Sequence, residues 1–112
     1  GYVVYSNPAK QELLGVAAQT LAAHGAVSAQ CAAEMAAGAR ERAGSDLALA
    51  VTGIAGPEGG SPDKPVGTVW FGLAHPGGVR TEQKRFAGDR QMVKLQAAEN
   101  ALDLLRRHLE GR

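Results

Sequence analysis

Apolar and polar positions divide the 112-residue chain into segments with different periods. Residues 47–51 are apolar without polar alternation, which is typical of a central strand covered on both faces. Residues 66–74 predict a second strand, and residues 79–86 alternate poorly, as an edge strand does. The turn at residues 75–78 contains proline and two glycines, so these two strands are predicted to form an antiparallel hairpin. A short β-rich run at residues 2–5 predicts the end of another buried strand.

Two short helices are predicted after the first strand. Asn7 is a favourable N-cap and Pro8 a favourable first residue, so a helix is expected from here to about Gly15. A second short helix covers about residues 17–23 and ends at His24-Gly25, where glycine permits the left-handed conformation that often ends a helix.

Two longer helices begin at residues that commonly cap helices. Ser28 begins a helix that ends near residues 43–44. Asp89 begins a final helix from residue 90 to about residue 109. One face of the earlier helix is expected to hold Cys31, Met35, Ala36 and Ala39. The inward stripe of the final helix is expected to hold Met92, Leu95, Ala98, Leu102, Leu105 and Leu109.

The order strand, helices, strand, hairpin, helix predicts an α/β sandwich in a single domain spanning residues 1–112. Its sheet is expected to be mixed parallel/antiparallel and flanked by helices, because strands joined through helices run parallel with a right-handed crossover. Ligands bind beyond the carboxyl ends of parallel strands. Here those ends are residues 5–7 and 52–53, which brings two candidate motifs together.

The stretch between the strand predicted at residues 47–51 and the hairpin is rich in glycine and proline. It reads Val-Thr-Gly-Ile-Ala-Gly-Pro-Glu-Gly-Gly-Ser-Pro-Asp-Lys-Pro-Val over residues 51–66, so neither strand nor helix continues through it. An ordered glycine loop at the end of a buried strand exposes backbone N–H groups that hold anions or polar ligands. The alternative is a flexible connection. A ligand loop is favoured because Thr-Gly-Ile-Ala-Gly is apolar and compact, whereas a linker is polar.

The amino-acid composition limits the kinds of partner that the protein is expected to bind. The formal net charge of +1 gives no reason to expect nucleic acid. The single cysteine, Cys31, excludes an internal disulfide, fits a reducing compartment and is expected to be a buried structural thiol.

No apolar run approaches the roughly 20 residues of a membrane span and no signal peptide opens the chain, so we expect a cytoplasmic protein. Three histidines on separate elements (His24, His75 and His108) predict no metal site, and no cofactor is expected.

Lys10 and Arg90 each lie in the first turn of a predicted helix. A cation there opposes the helix dipole, at a cost of a few tenths to about 1 kcal/mol. Two basic residues that oppose a helix dipole suggest a functional role, although exposed basic residues without a function are the simpler interpretation.

Several motifs resemble those of one protein family, and they occur in the same order along the chain as in that family. They are Tyr-Ser-Asn-Pro-Ala-Lys at residues 5–10, Leu-Leu-Gly-Val at 13–16, His-Gly-Ala-Val-Ser at 24–28, Met-Ala-Ala-Gly-Ala-Arg at 35–40 and Thr-Gly-Ile-Ala-Gly-Pro at 52–57. Together they resemble the C-terminal domain of the competence/damage-inducible protein CinA, known also as the nicotinamide-nucleotide amidohydrolase PncC. The resemblance implies a hydrolase that removes ammonia from nicotinamide mononucleotide, a small-molecule substrate, to give nicotinate mononucleotide.

The resemblance also implies roles for individual residues. Lys10 matches a lysine proposed as the general base for a serine nucleophile, which requires a pKa well below the usual ~10.4. Arg90 would supply a nearby cation or hold the substrate phosphate. Tyr5 would orient Lys10 or stack on the nicotinamide ring, with packing at the strand end as the alternative. Asn7 is a substrate-binding candidate, although a helix cap is its simpler role.

The family's ligand loop corresponds to Thr52, Gly53, Ile54, Ala55 and Gly56. Backbone N–H groups in this loop would stabilise the oxyanion that forms when the amide carbonyl is attacked, a contribution of ~3 kcal/mol per donor.

Two family motifs are missing from these 112 residues: Glu-Ser-Cys-Thr-Gly-Gly, and the Pro-Gly-Ser-Ser that holds the proposed nucleophile. We therefore expect an N-terminally truncated family domain with uncovered apolar surface, and hence a homo-oligomer. The alternative function is a non-catalytic nucleotide-binding or assembly domain.

Overall fold

The computed structural model describes residues 15–112. The described elements, in chain order, are α1 (Ala18–His24), α2 (Ala29–Ala43), β1 (Ala48–Gly53), β2 (Thr68–His75), β3 (Gly78–Arg85) and α3 (Arg90–Leu109). The strand predicted at residues 2–5 and the helix predicted from Asn7 lie outside the described residues.

The predicted caps of the two long helices are confirmed. The Ser28 hydroxyl accepts a hydrogen bond from the Cys31 N–H at 3.1 Å, and the Asp89 carboxylate accepts one from the Met92 N–H at 2.9 Å. Gly44 ends α2 in the left-handed conformation with φ 63°. These ends are set by residues within three positions of each other, so sequence alone locates them.

The described sheet has three strands in the order β1-β2-β3, and both pairings are antiparallel. The predicted hairpin is confirmed, with His75 paired to Gly78 across its turn. Within the described residues β2 is the central strand and β1 pairs only with β2, so the prediction that β1 is central depends on residues 2–5 and stays a prediction. Val51 in β1 is 39% exposed, so this strand is not fully covered on both faces. The parallel pairing involves residues 2–5 and stays a prediction.

Helices cover both faces of the sheet, as expected for an α/β sandwich. On one face α2 packs against β1 and β2, and Cys31 is fully buried there with Met35, Ala36, Ala50 and Ala74. The approach is close, since an added Cβ on Gly72 of β2 would lie 2.4 Å from the Ala32 carbonyl oxygen. Cys31 is therefore the buried thiol that its sequence context predicted.

On the other face α3 packs with a different stripe from the one predicted. Its buried residues are Val93, Ala97, Ala101 and Leu104, which join Val69, Phe71 and Leu73 of β2 in one core cluster. Four members of the predicted inward stripe are instead exposed by 53–67%: Met92, Leu95, Leu102 and Leu109. The helix carries two apolar stripes, and the bulky side chains of β2 are matched by the one with smaller residues.

The C-terminal part of α3 is held to β3 by ion pairs. The Arg107 guanidinium contacts both carboxylate oxygens of Glu82, at 3.0 and 2.8 Å, and also Asp103 at 2.9 Å. Arg80 contacts the same Glu82 carboxylate at 3.2 Å. The hydrogen bonds from Arg107 lower the pKa of Glu82 from its usual 4.5.

Candidate functional site

The end of β1 is tied to the turn between α1 and α2. Thr52 is buried, and its hydroxyl donates a hydrogen bond to the Ala26 carbonyl at 2.8 Å. The proton of this hydroxyl is therefore used in positioning the strand end. The oxygen keeps lone pairs with which to accept a hydrogen bond.

Directly after β1, Ile54 continues the backbone pairing of the sheet. The Ile54 N–H donates to the Thr68 carbonyl at 2.9 Å, and the Gly67 N–H donates to the Ile54 carbonyl at 2.7 Å. Gly53 fits here because a Cβ would lie 2.8 Å from Cγ2 of Val69. The Ile54 N–H is thus used in pairing with Thr68, and substrate binding by Ile54 stays a prediction.

Ala55 and Gly56 are different, because their N–H groups make no hydrogen bond within residues 15–112. Gly56 has φ +82°, and a Cβ would lie 2.5 Å from Cγ1 of Val66, so glycine is required. Ala55 is half-buried against the core beneath α3. Backbone N–H groups that are left without a protein acceptor can donate to an oxyanion or a phosphate oxygen.

Arg90 contacts this bend from the first turn of α3. Its guanidinium Nη1 donates to the Gly56 carbonyl at 3.1 Å. The side chain is exposed and a guanidinium has five N–H donors, so further donors stay available beside the bend. The departure from the helix-dipole rule at Arg90 is therefore accompanied by a specific contact.

The distal part of the loop is held by Lys64. The Lys64 N–H donates to the Ser61 hydroxyl at 3.1 Å, the Ser61 N–H donates to the Lys64 carbonyl at 3.0 Å, and the Lys64 ammonium donates to the His24 carbonyl at the end of α1. These contacts favour an ordered loop over a flexible connection. Sequence reasoning missed the Lys64–His24 and Thr52–Ala26 contacts, because partners 40 and 26 residues away leave no local signal.

The structure therefore brings together one group of the predicted site residues: Thr52, Gly53, Ala55, Gly56 and Arg90. Tyr5, Asn7 and Lys10 lie outside the described residues, so the expected approach of Lys10 to Thr52 stays a prediction.

A cavity of about 510 Å³ lies elsewhere, over the outer face of α2. Its lining residues are Gly15, Glu34, Ala37, Gly38, Glu41 and Arg42, none of which was a predicted site residue. No group of three or more potential metal ligands occurs in the described part of the chain. Among residues 15–112 there is also no helix with the length and apolar character that a membrane crossing requires.

Comparison with known proteins gives the family. The CinA C-terminal domain family matches residues 1–109, and the chain belongs to this family. A CinA-like protein from Citrifermentans bemidjiense is 58% identical over 109 residues, which are 97% of this chain and 26% of that protein. A protein named nicotinamide-nucleotide amidohydrolase PncC, from Enterobacter agglomerans, is 59% identical over 99 residues, 88% of this chain and 60% of that protein.

Solved structures of CinA superfamily proteins have the same fold as this chain. A CinA superfamily protein from Klebsiella pneumoniae 700603 superposes with a TM-score of 0.91 at 44% identity, over 96% of this chain and 68% of that one. The competence/damage-inducible protein CihA from Agrobacterium tumefaciens superposes with a TM-score of 0.90 at 44% identity, over 94% of this chain and 65% of its own. The chain thus spans about a quarter of the CinA-like relative and well over half of these shorter proteins.

Proposed function

We propose that this chain is the part of a nicotinamide mononucleotide amidohydrolase that supplies the general base and the oxyanion-binding bend. The substrate is a pyridine mononucleotide, the products are ammonia and nicotinate mononucleotide, and the reaction takes place in the cytoplasm. The observation that carries the proposal is the 59% identity to the relative named PncC across a stretch that includes the ordered bend at Ala55 and Gly56.

The bend and Arg90 suit the chemistry of amide hydrolysis. Attack on the carboxamide carbon develops negative charge on the carbonyl oxygen, and the N–H groups of Ala55 and Gly56 would stabilise it by ~3 kcal/mol per donor. Arg90 already holds the Gly56 carbonyl, and its remaining donors would bind the substrate phosphate. Thr52, held by Ala26, would accept a hydrogen bond from the substrate carboxamide.

The nucleophile and its base complete the proposed mechanism. A serine from a segment outside these 112 residues would attack, with Lys10 taking its proton and Tyr5 orienting Lys10. An acyl-enzyme forms as the amide C–N bond breaks, and the protonated Lys10 would give its proton to the departing nitrogen, which leaves as ammonia. Water then hydrolyses the acyl-enzyme.

Ammonia release from nicotinamide mononucleotide tests this function. The assay compares this chain alone with the same chain joined to the preceding region of the PncC relative from Enterobacter agglomerans. Activity is expected only in the joined form, and Lys10→Ala is expected to reduce kcat by about 10²–10⁴-fold. Lys84→Ala, which removes an exposed lysine of β3, is the matched control and should leave kcat unchanged.

A non-catalytic nucleotide-binding or assembly domain of a CinA-like protein is the second candidate, since several of the relatives are named only as CinA-like proteins. A joined protein that binds nicotinamide mononucleotide in calorimetry but releases no ammonia would support it over the hydrolase.

A further inference from the structure

The turn between α1 and α2 anchors the glycine loop of residues 51–66 at two points. The His24 carbonyl at the end of α1 accepts a hydrogen bond from the Lys64 ammonium, which belongs to the distal part of the loop. The Ala26 carbonyl accepts one at 2.8 Å from the Thr52 hydroxyl, where the loop begins. Gly25 lies between these two carbonyls, and its lack of a side chain lets the ammonium approach, because an added Cβ would lie 3.0 Å from Lys64 Nζ. Both arms of the loop are thus fastened to one turn.

Val66 connects the position of Lys64 to the bend at Gly56. It follows Lys64 by two residues. An added Cβ on Gly56 would lie 2.5 Å from Cγ1 of Val66, and one on Gly60 would lie 2.8 Å from the Val66 backbone nitrogen. The outgoing and returning arms of the loop therefore pack on the same residue. A displacement of Lys64 from the turn would shift Val66 and remove the support of the Gly56 backbone.

We propose that Lys64 is a positioning residue of the site. Its ammonium holds the glycine loop closed against the turn between α1 and α2, and so fixes the N–H groups of Ala55 and Gly56. Without this contact the loop exchanges with open states, in which Val66 no longer supports Gly56. A substrate then binds only the closed fraction of the molecules, so its apparent affinity falls in proportion to that fraction. The effect on catalysis rests on the proposed function, whereas the closing of the loop does not.

Direct binding of the substrate phosphate is the other role open to a lysine in this loop. The geometry favours positioning, since the Lys64 side chain is half-buried and its ammonium already donates to a backbone carbonyl. The two roles predict different behaviour of the chain without substrate. Loss of a phosphate ligand would leave the loop as closed as before, whereas loss of a positioning residue would open it.

Limited proteolysis of the substrate-free chain measures the opening of the loop. A glutamate-specific protease cuts after Glu58, an exposed loop residue between the bend and Lys64. The rate of this cut tracks the population of the open form when opening and closing are fast. Lys64→Met removes the ammonium and keeps the apolar stem. It should raise the rate by at least about ten-fold, the equilibrium effect of losing one hydrogen bond from a charged donor.

Two variants serve as controls for the cut after Glu58. Lys64→Arg should stay within about three-fold of the parent, because a guanidinium also donates to a carbonyl. Lys84→Met makes the same substitution as Lys64→Met at an exposed lysine of β3 and should leave the rate unchanged. The cut after Glu110, beyond the end of α3, is an internal standard and should be equally fast in all of these proteins.

Steady-state kinetics of the form joined to the preceding region of the PncC relative measure the effect on the reaction. Lys64→Met is expected to raise KM for nicotinamide mononucleotide by about ten-fold, in parallel with the cut after Glu58. The value of kcat should stay within about two-fold of the parent, because bound substrate restores the closed loop. Lys64→Arg should restore most of the affinity.

Three results would overturn the proposal. They are a cut after Glu58 that Lys64→Met does not accelerate, an equal acceleration by Lys84→Met, and a fall in kcat without a rise in KM. A joined form that releases no ammonia would refute the proposed function instead. The rates of the cut after Glu58 would still decide whether Lys64 holds the loop closed.

Discussion

The two long helices pack on opposite faces of the same sheet in different ways. α2 has one apolar face and buries it, with Cys31, Ala32 and Ala36 fully inaccessible and the Ala32 carbonyl lying over Gly72. α3 has two apolar stripes and buries the one with smaller residues. Hydrophobic periodicity therefore predicts the buried face of a helix when there is a single stripe, and fails when a second stripe competes.

The helices also differ in what holds them. α2 packs closely against the sheet, and its Glu34 carboxylate also accepts hydrogen bonds from the Ala17 N–H and the Thr20 hydroxyl. α3 is held by side-chain contacts near both of its ends. There Arg90 contacts the Gly56 carbonyl, and Arg107 contacts Glu82 of β3. We therefore expect substitutions beneath α2 to act through steric overlap, and substitutions along α3 to depend strongly on which stripe they fall on.

The largest expected effect is a difference in stability between substitutions in the two apolar stripes of α3. Leu104→Ala removes a side chain that is 1% exposed and should lower the free energy of unfolding by about 2–5 kcal/mol, because it leaves a cavity against Phe71 and Leu73. Leu102→Ala should change it by no more than about 0.5 kcal/mol. Urea denaturation of the parent and of each variant measures both changes. A larger loss at Leu102 would mean that α3 is turned the other way.

Gly72→Ala tests the close packing of α2. The new Cβ would lie 2.4 Å from the Ala32 carbonyl oxygen, and backbone cannot move aside as a side chain does. The free energy of unfolding should fall by about 1–3 kcal/mol, measured by urea denaturation. Gly77→Ala in the hairpin turn is the control, since the nearest atom to its added Cβ would be a side-chain atom of His75 at 3.2 Å rather than backbone. Equal stability of the Gly72 variant and the parent would contradict the close packing.

The smallest effect concerns the ion pair that holds the C-terminal part of α3. Arg107 lowers the pKa of Glu82 below 4.5 in the folded chain. The carboxylate therefore stabilises the fold at pH values above about 4.5, and this contribution is lost as the pH falls through the lowered pKa. Glu82→Gln should cost about 1 kcal/mol or less at pH 7, and the difference from the parent should shrink in acid.

Thermal unfolding of both proteins from pH 7 to pH 3 measures this difference. Glu58→Gln in the exposed loop serves as the control and should follow the parent at every pH. A Glu82→Gln difference that grows towards acid would contradict the direction of the pKa shift.

Much of the candidate site was visible in the sequence. The glycine loop and its position after β1 were expected, because glycine and proline end strands and the family motif marks the bend. The contact of Arg90 with this loop was not predicted. The sequence did not distinguish Ile54, whose N–H is used in pairing, from Ala55 and Gly56, whose N–H groups have no hydrogen-bond partner among residues 15–112. This difference depends on where the Thr68 carbonyl lies, and that residue is 14 positions away.

By itself the sequence determined the caps at Ser28 and Asp89, the hairpin turn, the ordered bend and the family, because each depends on residues close together in the chain or on motifs in a recognisable order. Only the tertiary structure decided which stripe of α3 is buried, which carbonyl holds Thr52 and what Arg90 contacts. The physical reason is that these choices depend on the shape that distant segments present to one another, and no local rule encodes that shape.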